Sequence, residues 1–309
     1  MDPLSDVLSL LNAHGTLSVR LAAGGNWCIQ FPAYDSIRFG TLVEGACWLQ
    51  VDGMPQPVRL QAGDCYLLAS GRPYKLGSDL ALPAVDMRAV YARVNERVVY
   101  YGDRPDVQVV GGRFSLDAAN AAFLLDSLPP LIQLRANSDQ ADVLTWVLKR
   151  LAAEQLADTA GSAAMVVHLT HIMLLQMLRA HIDNSDEAPP LAGWLAALSD
   201  TQIGAALGLM HAQPNRRWTL PELANQVAMS RSAFALRFKT LVGVSPLDYL
   251  LRWRMRLAGR ALATSKASVS LIGLAYGYES ESAFSNAFKR VMGRPPREYR
   301  MELGRLPEA

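Results

Sequence analysis

Cysteine is scarce in this chain. There are three in 309 residues (Cys28, Cys47 and Cys65), unevenly spaced. Three thiols make no disulfide framework and fit a reducing compartment. Histidine is nearly as rare, with His14, His168, His171, His181 and His211 the full set. The N-terminus, MDPLSDVLSLLNAHG, lacks a basic stretch followed by an apolar one, which argues against a secretory leader. Long apolar runs are missing too. The most apolar segment, Met165 to Leu178, is broken by His168, Thr170, His171 and Gln176. It is shorter than the ~20 residues a membrane span needs, so it predicts a buried helix. These absences point to a cytoplasmic protein without a membrane partner.

What is present is apolar bulk and uneven charge. Half the residues are hydrophobic, enough for a globular chain, and the length allows two or three domains. The net charge is only +2, yet Pro214 to Ala309 carries 16 Lys+Arg against 7 Asp+Glu, a net of +9. Residues 1–213 carry 14 against 21, a net of −7. A basic half suits a phosphate-rich partner, and an acidic half does not.

The first 116 residues read as short strands and tight turns. Ser36–Val43 and Ala46–Val51 are strand-like, Asp52-Gly53 is a hairpin signal, and Gln61–Asp64 turns before the apolar strand Cys65–Ala69. Ser70–Pro73 turns again, and Val85–Val94 is a further expected strand. That pattern predicts a β-sandwich or barrel. Helical spacing takes over near Asp117: Ala118–Leu128, Ala141–Leu156, Ala163–Ile182 and Ala192–Leu198 are the expected helices. The third is apolar on more than one face and needs cover from the barrel or a second subunit. Asn184–Pro190 (NSDEAPP) is the candidate linker. The domains expected are therefore 1–116, a helical linker and dimerisation region over 117–190, and a C-terminal all-α domain over 191–309.

The strongest signal is a repeat. Ser230, Ser232, Ala233, Phe234, Phe238, Lys239, Gly243, Pro246 and Tyr249 recur 50 positions later as Ser280, Ser282, Ala283, Phe284, Phe288, Lys289, Gly293, Pro296 and Tyr299. Thr219-Leu-Pro-Glu222 is a capping box that opens the first unit, and Ser230 caps its second helix. Phe234, Phe238 and Leu241 form an apolar stripe. Ser232, Ala235, Leu236 and Lys239 then face outward, with Arg231 and Arg237 on the flanks. In the second unit Ser280 caps a helix buried through Phe284, Phe288 and Val291, which presents Ser282, Ser285, Asn286 and Lys289. Two helix-turn-helix units, at about 219–242 and 269–292, match the repeat of the DNA major groove, roughly 34 Å per turn.

Base-reading candidates are Ser232, Ala235, Leu236, Ser282, Ser285 and Asn286, with the Asn286 amide suited to adenine N6 and N7. Phosphate candidates are Ser230, Arg231, Arg237, Lys239, Arg254, Ser280, Lys289 and Arg290. Arg252, Arg254, Arg256 and Arg260, on the connecting helix, are open to phosphate contact or to ion pairing between units.

On these strings, LPELANQVAMSRSAFALRFKTLVGVSPLDYLLRWRM and VSLIGLAYGYESESAFSNAFKRVMGRPPREYR, residues Thr219 to Arg300 resemble the DNA-binding domain of the AraC/XylS family. The resemblance implies seven helices, two helix-turn-helix units joined by a long helix, and transcriptional regulation, with promoter DNA as partner and RNA polymerase as a second partner in an activator. Relatives often carry Arg where this chain has Leu236, which packs on a thymine methyl but cannot bind guanine bidentately.

The string RFGTLVEGACWLQVDGMPQPVRLQAGDCYLLASGRPYKL resembles the cupin-type sensor domain of a subgroup of these regulators. The family's metal-binding histidine positions fall on Gly40 and Tyr74, leaving Glu44 without partners. No metal, cofactor or catalysis is therefore expected. A small effector is expected in the barrel instead, with Trp27, Trp48, Tyr66 and Tyr74 as lining candidates. A redox-sensing role for the cysteines and a cupin-type metal enzyme with an accessory DNA-binding domain are the alternatives.

Overall fold

The computed structural model describes residues 2–11, 14–18, 20–92, 98–116, 124–125, 127–136, 141–156, 159–183 and 194–303. They divide into two compact units: described residues within 13–116 and 128–189, and those within 1–12, 117–127 and 190–309.

The first unit holds twelve strands: β1 (His14–Leu17), β2 (Arg20–Ala23), β3 (Cys28–Phe31), β4 (Ile37–Glu44), β5 (Ala46–Val51), β6 (Val58–Gln61), β7 (Cys65–Leu68), β8 (Tyr74–Gly77), β9 (Val85–Asp86), β10 (Val98–Tyr101), β11 (Val107–Ser115) and β12 (Leu131–Leu134). One sheet runs β10-β2-β11-β4-β7-β12, with β1 also paired to β11, and the other runs β6-β5-β8-β3-β9. Alternation puts one face of each strand into a shared core. Cys47, Leu49 and Val51 are buried on β5, while the residues between them are half-buried. The expected turns are built from glycine where the backbone needs it: Gly53 (φ 76°) after β5 and Gly63 (φ 89°) before β7. Asp64 pins the second turn, accepting from the Gln61 and Ala136 amides at 3.0 Å each.

Several expectations are corrected here. The strand expected over Val85–Val94 ends at Asp86, because the Asp86 carboxylate accepts from the Arg88 amide and starts helix α2 (Met87–Tyr91). The residue pair His14 and Ser115 lies opposite across β1 and β11. The strand β12, just after Pro129-Pro130, was not anticipated. It pairs with β7 through only four residues.

Helix α3 (Ala141–Leu156) has the expected bounds. Helix α4 (Ser162–Asp183) extends one residue beyond each expected end, to 22 residues, enough by length and composition to cross a membrane. It instead buries Leu169, Met173 and Met177, packing against α3, β1 and β12. The approach to β1 is close enough that a Cβ at Gly15 would meet Thr170 Oγ1 at 2.1 Å.

The second unit is helical: α1 (Pro3–Leu11), α5 (Trp194–Ser199), α6 (Thr201–Ala212), α7 (Leu220–Gln226), α8 (Arg231–Val242), α9 (Pro246–Thr264), α10 (Val269–Ala275), α11 (Glu281–Met292) and α12 (Pro296–Leu303). Helix α1, placed by the sequence with the strands, packs its buried Leu4, Val7, Leu10 and Leu11 in this unit, touching α6 and α9. Most of the helix expected over Ala118–Leu128, and all of the linker Asn184–Pro190, lie outside the described residues.

Candidate nucleic-acid interface and barrel cavity

The two repeats build the same local structure. Thr219 caps α7 in a full capping box: its Oγ1 accepts from the Glu222 amide, and Glu222 accepts from the Thr219 amide at 2.8 Å. Those bonds from Thr219 hold the Glu222 carboxyl below the ordinary glutamate range. Ser230 caps α8 by accepting from Ala233 N at 3.3 Å, and Ser280 caps α11 by accepting from Ala283 N at 3.2 Å. Each hydroxyl satisfies one of the orphan amides at its helix start. Gly243 and Gly293, both left-handed, end the two helices.

Behind each helix the phenylalanines are fully buried: Phe234 and Phe238 in α8, Phe284 and Phe288 in α11. In front, Ser232, Leu236 and Lys239 are exposed on α8, as are Ser282, Asn286 and Lys289 on α11. Ala235 and Ser285 are half-buried. Leu236 is 71% exposed, a large apolar side chain with no packing role in the fold.

The supporting helices follow a different offset. Thr219 and Ser268 are the two caps, and Leu223–Ala224 and Ile272–Gly273 the two buried pairs, each 49 positions apart. The second turn therefore contains one more residue than the first, which the 50-residue match does not reveal.

The cations separate into two groups. Arg231, Lys239, Lys289 and Arg290 are exposed and pair with no carboxylate among the described residues. Arg237 and Arg254, expected at phosphates, are engaged within the fold. Arg237 pairs with Asp200 at 2.6 Å, tying α8 to the N-cap of α6. Burial alone would raise the Asp200 carboxyl, but hydrogen bonds from Ile203 N and Arg237 outweigh it and hold the group low. Arg254 donates to the carbonyls of Pro214 and, at 2.6 Å, Arg216, bracing the chain that leads into α7. Arg252 pairs with Asp248 one turn away at 2.9 Å.

Behind the first helix-turn-helix lies a cluster that sequence reasoning missed. His211 stacks on Trp253 at 4.0 Å, meets the Tyr249 hydroxyl through Nε2 at 2.7 Å and reaches Asp6 through Nδ1 at 3.2 Å. Burial pushes its imidazole down to about 3, so the ring is neutral at pH 7. Neutral imidazole fits both bonds, with Tyr249 donating to Nε2 and Nδ1–H donating to the Asp6 carboxylate. The available signal was a lone histidine on an apolar helix, which has no period to betray its partners.

In the barrel the two family metal positions hold other groups. A Cβ at Gly40 would meet the Tyr66 hydroxyl at 2.3 Å, so the Tyr66 ring occupies that side-chain space. Tyr74 stacks on Phe31 at 4.5 Å. Glu44 is exposed and accepts from Gln108 at 2.7 Å. Of the four lining candidates, Tyr66 and Tyr74 do border a cavity of about 110 Å³. Trp27 is 1% exposed core, and Trp48 lies on the alternate face of β5 beneath the Arg59 guanidinium at 5.8 Å. Burial raises all three thiols, Cys47 and Cys65 to about 12, which opposes thiolate formation.

A cupin family profile matches residues 2–183, and a helix-turn-helix domain profile matches residues 223–302. A putative AraC-like transcription regulator of Streptomyces lividans is 42% identical over 300 residues, spanning 97% of this chain and 98% of its own. One of Streptomyces antibioticus is 41% identical over the same shares. A solved transcriptional regulator with an AraC-type DNA-binding domain, from Chromobacterium violaceum, is 29% identical. It covers 36% of this chain and 99% of its own, with a TM-score of 0.34. The chain belongs to the AraC-like transcription regulators: it is a DNA-binding transcriptional regulator with a cupin-type N-terminal domain.

Proposed function

We propose that this regulator reads promoter DNA with α8 and α11, each laid in a major groove, and that its barrel holds a small effector that alters DNA occupancy. The observation that carries the first part is the matched pair of serine-capped helices, each with a buried aromatic back and an exposed polar front. Ser232, Ala235 and Leu236 read one half-site, and Ser282, Ser285 and Asn286 read the other. Ser230, Ser280, Arg231, Lys239, Lys289 and Arg290 hold phosphates. Arg237 and Arg254 support the reading helices from within the fold and leave the phosphates to the unpaired cations.

The protein works in the cytoplasm as a homodimer, without catalysis, and engages RNA polymerase where it activates. Dimerisation through the helical hairpin is supported by Trp146, 59% exposed on α3 beside Val143, and by Met165 and Ile172 exposed on α4.

Footprinting on DNA upstream of neighbouring genes, repeated across salt, tests this reading. The expected result is a discrete protected site with two unlike half-sites. Uniform, salt-sensitive coating of any duplex would overturn it.

A further inference from the structure

Bordering the barrel cavity is a half-buried cation, Arg38, with no counter-ion among the described residues. Arg38 is on β4 in register with Leu68 of β7, on the strand face shared with Gly40 and Leu42, and Leu42, Tyr66 and Leu68 belong to the barrel core. Its guanidinium carbon lies 4.9 Å from the centre of the Tyr34 ring. Its Nε is sealed from solvent and has no hydrogen-bond partner, and no carboxylate among the described residues pairs with it. Arginine stays charged at any physiological pH, so this charge is uncompensated by the protein itself.

The surroundings are donors and hydrocarbon. Tyr66, Tyr74 and Tyr91 border the same cavity as Arg38. Burial raises all three phenols, Tyr91 to about 12, so each keeps its proton at neutral pH despite the opposing pull of Arg38. Phe31 and Met87 are among the apolar walls. One fixed cation, protonated phenols and no acidic residue among the described lining residues make a receptor for an anion, and the apolar walls favour one that carries a hydrocarbon tail.

We infer that the barrel cavity is a binding site for a small apolar monocarboxylate, its carboxylate on Arg38 and Tyr74 and its tail against Phe31 and Met87. A cavity of about 150 Å³ takes up benzene, so one of about 110 Å³ limits the occupant to roughly six heavy atoms. This inference rests on the effector reading of the barrel and names the chemical class of that effector.

Calorimetric titration of the full-length protein with straight-chain monocarboxylates from acetate to octanoate tests it, with the matching primary amides and inorganic phosphate as controls. The expected result is saturable binding that peaks at a short chain length and falls at octanoate. The amides and phosphate should bind at least about tenfold more weakly. Arg38→Gln should abolish carboxylate binding while the variant still unfolds in a single cooperative thermal transition. Arg38→Met removes the unpaired charge, so without ligand it should melt higher than the parent, and added carboxylate should no longer move its Tm. Amides or phosphate binding as well as the acids, undiminished binding by a folded Arg38→Gln protein, or no binding by any acid would each overturn the site. A DNA-occupancy assay with the best acid separates the two readings. Tight, Arg38-dependent binding with no change in DNA occupancy would uphold the site and sink the effector role.

Discussion

In the first helix-turn-helix unit the ring pairs Phe234–Phe238 and Phe238–Tyr249 have centroids 5.7 and 5.8 Å apart. In the second, Phe284–Phe288 and Phe288–Tyr299 lie at 5.6 and 5.3 Å. Caps and terminal glycines match as well. The front faces do not: Ala235 and the exposed Leu236 in one, Ser285 and Asn286 in the other. Duplication has preserved what folds the unit and left the exposed front positions free to differ. The reason is physical, since ring packing tolerates little change in volume whereas an exposed position has almost no folding constraint.

The largest effect expected from this likeness lies in the aromatic backs. Phe238→Ala and Phe288→Ala should each cost ~3–5 kcal/mol in urea unfolding, because both side chains are fully buried. Penalties that differed by more than ~2 kcal/mol would show the two cores to be unequal.

The next contrast is acid sensitivity, because His211 lies against Tyr249 in the first unit. A histidine whose folded value is depressed stabilises the fold fully above its unfolded value near 6.5. That stability is lost as pH falls toward about 3. Asp6, whose carboxyl burial raises, works in the opposite sense at the acid end. The net expectation is a loss of roughly 2–3 kcal/mol between pH 6.5 and pH 4. His211→Phe should flatten that slope, and an unchanged slope in the variant would place the acid sensitivity elsewhere.

Recognition should divide the units next. Asn286→Ala should cost ~1–3 kcal/mol at one base position, and Leu236→Arg should create a preference for guanine in the other half-site. Selection of binding sites from random DNA reads both. Lys289→Ala should weaken all sequences alike and lower the salt slope by about 0.9.

The smallest effect concerns the two turns. Ala228 holds a left-handed φ of 54° where the other turn uses Gly277 at 88°. Ala228→Gly should be stabilising by up to ~1 kcal/mol. Gly277→Ala should destabilise, because its Cβ would also lie 2.7 Å from the Asn215 carbonyl oxygen. Paired thermal melts would show both signs.

Much of this was legible before any coordinates. Capping serines, the Thr219–Glu222 box and the phenylalanine spacing are local signals, each contained within a turn or two of helix. The hairpin glycines Gly53 and Gly63 were readable for the same reason. The missing residue of the first turn was hidden because the recurring strings begin after it. The fate of Val85–Val94 turned on a single cap at Asp86, which apolar spacing does not weigh. Of the residues expected to line the barrel, Trp48 lies one position out of phase with the inward face, because side chains alternate along a strand.

Sequence alone determined the class of the protein, the two serine-capped helices of its repeat and the polarity of their faces, because caps and periodicity act over neighbouring residues. Only the tertiary structure decided that α1 packs on α6 and α9 of the helical unit, that Arg237 and Arg254 are committed to Asp200 and to backbone carbonyls, and that Arg38 has no carboxylate partner among the described residues. The Arg237–Asp200 and His211–Asp6 contacts join residues 37 and 205 positions apart. Their energies depend on burial and on which groups meet, and neither is written in local order.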